Sequence, residues 1–308
     1  MDKIIGFSDD ELLVKILSFL PMKDAMIWSS IDRSLRLHCS PVIESVRLRF
    51  LTDTVLQPED IKSWVEIAVS RYVQELSVNY FPFNGKRDAL LLLPSSLYTC
   101  KSLVTLKLRQ SVLVDVPHVF CLPSLKTLHL HYVTYADEKC LQRILSNCSV
   151  LEDLVVKRHA RDNVRNFAVI IPSLLSLSLD LSGQSYSDEY VINTPSLRYF
   201  NVHPSMISSS LIVSMPKLED ADITARLSPE NLDIKKLLEP VTSAKRLSLC
   251  ILGSFKEAVV SGDDDIVFNE LKHLNLRVYY PYWSKLLFWL LKASPKLRDL
   301  EFHVSFLP

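Results

Sequence analysis

Glycine is scarce in this sequence, with 5 among 308 residues, whereas average usage is about 7%. Loops that cradle phosphate groups depend on glycine, and neither G-x-G-x-x-G nor G-x-x-x-x-G-K occurs. The catalytic patterns G-x-S-x-G and H-E-x-x-H are also absent. We therefore predict that the protein is not an enzyme and that it uses no cofactor.

Net charge is absent too, since 35 basic residues balance 35 acidic ones. A neutral chain has no overall field that attracts nucleic acid or an anionic membrane. No apolar run reaches the roughly 18–20 residues of a membrane-spanning helix. The acidic start of the chain, with Asp2, Asp9 and Asp10, is unlike the basic beginning of a signal peptide. We predict neither a nucleic-acid partner nor a membrane association.

Paired cysteines are missing as well, because the six cysteines include no C-x-x-C pair. Most of them stand between apolar neighbours, which is typical of buried, reduced thiols. The only N-x-S/T sequence is Asn147-Cys-Ser149. These observations favour an intracellular protein, in the nucleus, the cytoplasm or both.

What the sequence does contain is one leucine-rich pattern, repeated along most of its length. The pattern L-x-x-L-x-L stands at Leu125-Lys-Thr-Leu-His-Leu130 and recurs at spacings of 21 to 27 residues from Leu103 onward. Repeats of 20–29 residues with this pattern are leucine-rich repeats, which stack because each one buries its leucines only against its neighbours. The predicted fold is an α/β leucine-rich-repeat solenoid of about ten turns, with a curved parallel sheet and with helices and irregular turns on its convex side. The repeats begin at Ile43, Val73, Leu103, Leu125, Leu151, Leu174, Leu197, Leu218, Ala244, Leu271 and Leu297.

The N-terminal residues predict a small helical module that precedes the repeats. Ser8 and Glu11 form a capping box, and Pro21 ends the first helix. A second helix is predicted to begin at Lys23. The two helices carry more apolar side chains than they can bury by themselves. Two interpretations follow: the module covers the open end of the solenoid, or its apolar side binds a partner.

Four segments resemble one known family, the plant F-box/leucine-rich-repeat proteins that end in an FBD region. The stretch 10–25 closely resembles an F-box, and 57–76 resembles the lead-in helix and first repeat of that family. The stretch 121–130 resembles a middle repeat, and 271–302 is similar to the beginning of the FBD region. The resemblance implies an F-box-like module at 1–39, a solenoid at 40–270, and the last repeats with a partial FBD-like region at 271–308.

The same resemblance implies a function and a set of partners. Members of this family are substrate-recognition subunits of SCF-type ubiquitin ligases, in which the F-box binds a Skp-type adaptor and, through it, a cullin, while the repeats bind a target protein. Transferred to this chain, the adaptor-binding residues are Leu12, Ile16, Leu17, Leu20, Pro21, Ile27 and Ile31.

The sequence departs from the family pattern at three places, and these leave alternatives open. Ser8-Asp9 replaces the usual Leu-Pro, and the third F-box helix is eroded to Leu35-Arg-Leu-His-Cys39. Ser40 then leads directly into the first strand, which predicts a shortened F-box linker. The chain is also expected to carry a truncated FBD region. The alternative function is a non-enzymatic binding scaffold whose F-box no longer engages the adaptor, and the state of Ser34–Ser40 discriminates the two. A small-molecule co-receptor is a third class and requires a convergent basic pocket.

The residues that alternate with the core leucines are predicted to line the concave side of the sheet. Five of the eight histidines fall in this set, but only His129 and His131 are close in sequence, so we predict no metal site. Basic residues gather at Lys107 and Arg109, and acids at Asp220 and Asp222. The surface is therefore either a polarised binding face or an ordinary solvated one. The predicted target-binding residues are Lys107, Arg109, His129, His131, Lys157, Tyr199, Asn201, Asp222, Arg246, Asn275 and Arg277.

Overall fold

A computed structural model describes residues 40–52, 58–82, 90–159, 162–181, 190–205, 211–226, 234–252, 266–279 and 283–305. It divides into two compact units, Met1–Cys148 and Ser149–Pro308. The division falls inside the stretch 40–270 that the sequence assigns to the solenoid. The predicted helical module at 1–39 lies outside the described residues. With it lie the predicted adaptor-binding residues Leu12, Ile16, Leu17, Leu20, Pro21, Ile27 and Ile31.

The first unit contains two parallel sheets. Four long strands pair in the order β1-β2-β4-β6, and three short ones pair in the order β3-β5-β7. Helix α1 contacts both β3 and a 3-10 helix at Ser95–Thr99. The elements are β1 (Ser45–Thr52), α1 (Pro58–Ser70), β2 (Glu75–Pro82), β3 (Leu91–Leu92), β4 (Thr105–Gln110), β5 (Val112–Val114), β6 (Thr127–His131), β7 (Thr134–Tyr135) and α2 (Cys140–Asn147).

The second unit repeats this organisation with more strands. Seven long strands follow one another in the order β8-β10-β12-β14-β15-β16-β17, and three short ones pair in the order β13-β11-β9. A 3-10 helix at Glu239–Val241 follows α3 directly. The elements are β8 (Asp153–Lys157), β9 (Phe167–Ile170), β10 (Ser176–Asp180), β11 (Tyr190–Asn193), β12 (Tyr199–Ser205), β13 (Leu211–Ile212), β14 (Asp220–Arg226), α3 (Ile234–Leu238), β15 (Arg246–Leu252), β16 (His273–Val278), α4 (Trp283–Ala293) and β17 (Asp299–Val304).

The register of the long strands places equivalent leucines side by side. Leu106 pairs with Leu128 in the first unit, and Leu247 pairs with Leu274 in the second. These side chains are buried. Because the pairing is parallel and in step, each leucine position forms a row that runs from strand to strand. The predicted α/β leucine-rich-repeat solenoid is confirmed.

The connections between long strands mix helices with irregular segments, as the sequence predicts. The lead-in helix predicted from residue 57 is α1, and the helical spacing of leucines at 283–292 corresponds to α4. The helical spacing of Leu141, Ile144 and Leu145 predicts a helix over 136–145, but the helix begins later, at Cys140, and extends to Asn147. Asp137 explains part of this difference, because its carboxylate accepts a hydrogen bond from the backbone N–H of Lys139 and holds the preceding residues in a turn.

Glycine scarcity has a visible consequence at the corners of the first unit. Gln110 has φ 71° and Tyr132 has φ 56°, and each directly follows the last polar position of a long strand. A residue other than glycine in this left-handed region costs about 1–2 kcal/mol. Two successive repeats therefore turn at the same position with a residue other than glycine. This turn leads the chain from β4 into β5 and from β6 towards β7.

The Asp137–Arg143 pair at the start of α2 predicts a pH-dependent contribution to stability. Arg143 donates to the Asp137 carboxylate at 2.7 Å, and this hydrogen bond is the largest cause that lowers the pKa of Asp137. A lowered pKa in the folded state stabilises the protein above the unfolded pKa of about 4, and this contribution is lost as the pH falls through the folded value. Because the pair is partly exposed, we expect Asp137→Asn to cost about 0.5 kcal/mol at neutral pH. Urea denaturation between about pH 7 and pH 3 measures this.

The control for this prediction is Glu138→Gln. Glu138 is exposed, and replacing it with glutamine removes the same charge from the same turn. Its replacement is expected to leave the pH dependence of stability unchanged. If Asp137→Asn cost the same at pH 3 as at pH 7, the ion pair would not be the cause.

Candidate functional site

The long strands present a polar side opposite their leucine rows. In β4, for example, Leu106 and Leu108 are buried, whereas Thr105, Lys107 and Arg109, which alternate with them, are only partly covered. The same alternation holds in β6, β8 and β10. We call this side of the long strands the open face. Its side chains do not build the core, so it is the surface that the fold leaves available for binding.

On the open face of the first unit, four cations form what we call the basic grid: Arg47, Arg49, Lys107 and Arg109. The strand register places them in two rows, because Ser77 lies between Arg47 and Lys107, and Asn79 lies between Arg49 and Arg109. These residues line a groove of about 420 Å³. The grid combines neighbouring cations with short polar side chains at its floor.

A single carboxylate, Glu75, lines this groove. Glu75 lies 3.5 Å from Arg47 and accepts a hydrogen bond from Ser45 at 3.4 Å. Arg49, Lys107 and Arg109 make no ion pair with a carboxylate among the described residues. The groove is therefore strongly cationic, although the chain as a whole is neutral.

His129 and His131 extend the two rows of the basic grid by one more strand. His129 is the partner of Lys107 in the register, and His131 is the partner of Arg109. Their rings stack with centroids 6.0 Å apart. Four predicted site residues, Lys107, Arg109, His129 and His131, are thus brought together on two adjacent strands.

The open face of the second unit carries charges that pair with one another. Arg246 donates to both carboxylate oxygens of Asp220, and these hydrogen bonds are the main reason that the pKa of Arg246 is raised. In the next two strands, His273 Nδ1 lies 2.8 Å from the Asp299 carboxylate. Along this row Arg246 neutralises Asp220, and the His273 imidazole lies between Arg246 and Asp299.

A second row of this unit contains Ser248, Asn275 and Glu301. Asn275 donates to Glu301 at 2.7 Å, and Ser248 accepts a hydrogen bond at 3.1 Å from Arg277, which lies two residues beyond Asn275 in β16. The side-chain oxygen of Asn275 is buried without a hydrogen-bond partner among the described residues. Together the two rows line a groove of about 580 Å³. Tyr199 stands at this groove with 48% of its surface exposed. The second unit therefore offers a larger groove in which acidic side chains outnumber basic ones and which bears an exposed aromatic ring.

The structure places every predicted target-binding residue on the open face of a long strand. Four lie in the first unit around the basic grid, and the other seven lie in the second unit. Among these seven, Lys157 is the register partner of Asp180, and Asp222 is the partner of Asn201. Their placement agrees with the predicted alternation, and their role in binding a target stays a prediction. The seven are Lys157, Tyr199, Asn201, Asp222, Arg246, Asn275 and Arg277.

Two members of the basic grid, Arg47 and Arg49, were missing from the predicted site. A signal for them is present, because Val46 and Leu48 occupy the interior positions of an early repeat. Arg47 and Arg49 alternate with these apolar residues and so lie on the opposite side of β1. Applying the alternation to that repeat would have identified both.

Other kinds of site find no support in the described part of the chain. No group of three His, Cys, Asp or Glu side chains there has the arrangement to hold a metal ion. Of the five cysteines in these ranges, all free, only Cys121 is exposed. Burial raises the pKa of Cys148 to about 12, so this thiol is unreactive at neutral pH. Within the same ranges, no helix is long and apolar enough to cross a membrane.

Comparison with protein families finds a match over residues 61–220. The matching family is described as FBD-associated F-box protein At5g56370, LRR repeats. The match covers more than half of the chain, from helix α1 to the first residue of β14. It includes Lys107 and Arg109 of the basic grid.

Three similar proteins from Arabidopsis thaliana extend the comparison to nearly the whole chain. The FBD-associated F-box protein At5g56410 is 55% identical over 99% of this chain and 70% of its own length. The F-box/FBD/LRR-repeat protein At5g62970 is 54% identical over 98% of this chain and 78% of its own. The FBD-associated F-box protein At4g10400 is 43% identical over 97% of this chain and 77% of its own.

The first of these alignments spans 358 positions, 50 more than the 308 residues of the chain. At least 50 residues of that relative therefore have no counterpart here, although they lie between aligned segments. The internal shortening near Ser40 stays a prediction.

Proposed function

Since the chain belongs to the family of FBD-associated F-box proteins with leucine-rich repeats, we propose that it is the substrate-recognition subunit of an SCF-type ubiquitin ligase. In this proposal residues 1–39 bind a Skp-type adaptor and, through it, the cullin. The open face of the repeats binds a target protein. The observation that carries the proposal is the similarity over 99% of the chain to a protein whose name includes the F-box.

The mechanism of such a subunit is proximity, and it requires no chemistry from this chain. A target held on the open face remains close to the ubiquitin-conjugating enzyme carried by the same assembly. Its lysines then react as if at a high local concentration, which multivalent attachment raises by orders of magnitude. The protein is non-catalytic in this scheme, in line with the absence of catalytic motifs from its sequence.

The adaptor-binding surface in this proposal is the apolar side of the first predicted helix. Leu17 and Leu20 share this side at helical spacing with Ile16, whereas Lys15 and Ser18 fall on the polar side. A partner that buries the apolar side would exclude water from it. Charges introduced there are left without solvation, which costs several kcal/mol.

The first test is a pull-down of the purified full chain with a plant Skp-type adaptor. We expect the full chain to bind and a chain without residues 1–39 to lose binding. Leu17→Asp combined with Leu20→Asp is expected to weaken adaptor binding by at least about 100-fold. The matched control, Lys15→Asp with Ser18→Asp, adds two acids to the same helix and is expected to retain binding.

Two outcomes would contradict the proposal. A folded full chain that binds no Skp-type adaptor would leave the scaffold alternative, which the departures at Ser8-Asp9 and Ser34–Ser40 favour. Binding that survives the Leu17 and Leu20 replacements, in a protein with an unchanged circular dichroism spectrum, would place the adaptor contact elsewhere.

A further inference from the structure

We propose that the basic grid of the first unit binds an extended, acidic segment of a target protein. The inference deepens the proposed function, on which it rests for the role of the bound segment in ubiquitin transfer. The binding event itself involves only the described first unit. It therefore has a test of its own, independent of the adaptor.

The dimensions of the basic grid fit an extended peptide that runs across the strands. Neighbouring strands are about 4.8 Å apart, so Arg47 and Lys107, two strands apart, are separated by roughly 10 Å. The two rows lie about 7 Å apart along the strands. In an extended chain, acidic side chains two or three residues apart are separated by about 7–10 Å. Carboxylates at such spacings can each face a different cation.

The electrostatics of the groove also favour an anionic occupant. Lys107 and Arg109 are half-buried, and with Arg49 they lack a carboxylate partner among the described residues. A charge in such a position has lost part of its water without gaining a counter-ion. An incoming carboxylate therefore gains more than it would at a fully exposed site.

The floor of the groove supplies a second, independent indication of a ligand. The side-chain oxygen of Asn79 is buried between the two strands that carry Arg49 and Arg109, and it has no hydrogen-bond partner within the described residues. A buried acceptor without a donor is costly, by about 1–3 kcal/mol. A backbone N–H of a peptide laid across the grid would satisfy it once the neighbouring side chains turn towards the peptide's carboxylates and uncover it. Ser77 and Thr105 line the same groove and offer hydroxyl groups to the peptide backbone.

The arrangement favours separate carboxylates over one concentrated anion. A single phosphate is best held by cations that converge on one point, whereas the grid spreads four cations over two rows and three strands. A nucleic acid would require a longer basic track than four cations with Glu75 among them. A peptide with several acids matches the spread of the grid better than either.

The second unit offers no comparable site for an acidic segment. Its groove holds Arg246 already engaged by Asp220, and it is lined by three further acids, Asp222, Asp299 and Glu301. An acidic peptide would have to displace existing ion pairs there. The specificity for acidic segments is therefore assigned to the first unit alone.

The test uses fluorescence anisotropy with the full chain and a labelled peptide of about ten residues, about three times the length needed to cross the grid. Glutamates alternate with serines in the probe, and a second peptide carries glutamines in their place. We expect the acidic peptide to bind and the glutamine peptide to bind at least about 10-fold more weakly. Raising NaCl from about 50 mM to about 500 mM should weaken the acidic complex markedly.

The decisive variant replaces three cations of the basic grid and is compared with a variant of equal charge. The combination Arg49→Gln, Lys107→Gln and Arg109→Gln is expected to weaken the acidic complex by about 30-fold. The control replaces three exposed cations outside the open-face grooves and is expected to change affinity by less than about twofold. It consists of Arg198→Gln, Lys217→Gln and Lys292→Gln.

Several results would overturn the inference. Equal weakening by both triple variants would show a non-specific charge effect. Equal or tighter binding of a single-stranded oligonucleotide, or binding only of a peptide with one phosphoserine and no glutamates, would assign the grid to another ligand. Absence of acidic-peptide binding in a chain that still binds the adaptor would overturn this inference alone. Peptide binding without adaptor binding would overturn the ubiquitin-ligase proposal alone.

Discussion

Replacing Arg158 with alanine is expected to lower the free energy of unfolding by about 3–5 kcal/mol, because it leaves a buried carboxylate without its counter-charge. The Arg158 side chain is fully buried, and that of Asp162 is 2% exposed. Arg158 donates to both oxygens of Asp162, at 2.8 and 2.5 Å. It also donates to the Tyr190 hydroxyl at 3.1 Å and to the backbone carbonyl of Val164.

A double replacement separates the cost of an orphaned charge from the value of the pair. Arg158→Met with Asp162→Leu removes both charges and keeps most of the volume, so we expect it to cost far less than Arg158→Ala alone. Urea denaturation of the full chain, followed by circular dichroism, measures both variants. If Arg158→Ala cost under about 1 kcal/mol, the pair would be solvated in solution and the burial argument would be wrong.

Alanine at Leu274 is expected to cost about 2–5 kcal/mol, whereas the same change at the neighbouring Leu300 is expected to cost about 1 kcal/mol. The two residues are register partners in β16 and β17 and occupy the same repeat position. Leu274 is 2% exposed because it lies between Leu247 and Leu300. Leu300 is 43% exposed, since β17 has a neighbouring strand on one side only among the described residues.

This pair of variants is its own control, because the chemistry removed is identical. Urea denaturation again measures the difference between the two. If alanine lowered the free energy of unfolding equally at both positions, Leu300 would be as buried in solution as Leu274. If Leu300→Ala lowered the free energy of unfolding more than Leu274→Ala, the explanation that burial depends on having a strand on both sides would be wrong.

The sequence was sufficient to predict the long strands and the two sides of each. The reason is that every repeat imposes the same alternation. Leu128 and Leu130 had to face the core because each stacks on equivalents in neighbouring repeats, and this alone placed His129 on the open face. Leu300 is a partial exception, because a row of leucines is buried only where a strand is covered on both sides.

The short strands and the buried ion pair could not be predicted in this way. Strands such as β3 and β7 contain two residues each, too few to show any period. Arg158 follows Lys157 in the sequence and resembles an ordinary surface cation. Its burial depends on Tyr190, 32 residues further along the chain, and on the turn at Asp162. Contacts made by the irregular part of a repeat have no counterpart in the next one, so a periodic pattern does not reveal them.

The strict alternation of the long strands has a consequence for how such proteins can diverge. A substitution in a leucine row costs about 2–5 kcal/mol, whereas one on the open face usually changes stability by less than about 0.5 kcal/mol. Selection can therefore alter the charges beside Leu106 and Leu108 one at a time without unfolding the protein. Under the proposed function, duplicated copies of such a gene can acquire new targets through single mutations. In this fold the residues of the open face can change during evolution, whereas the leucines of the core rows are constrained by the loss of stability that replacing them causes.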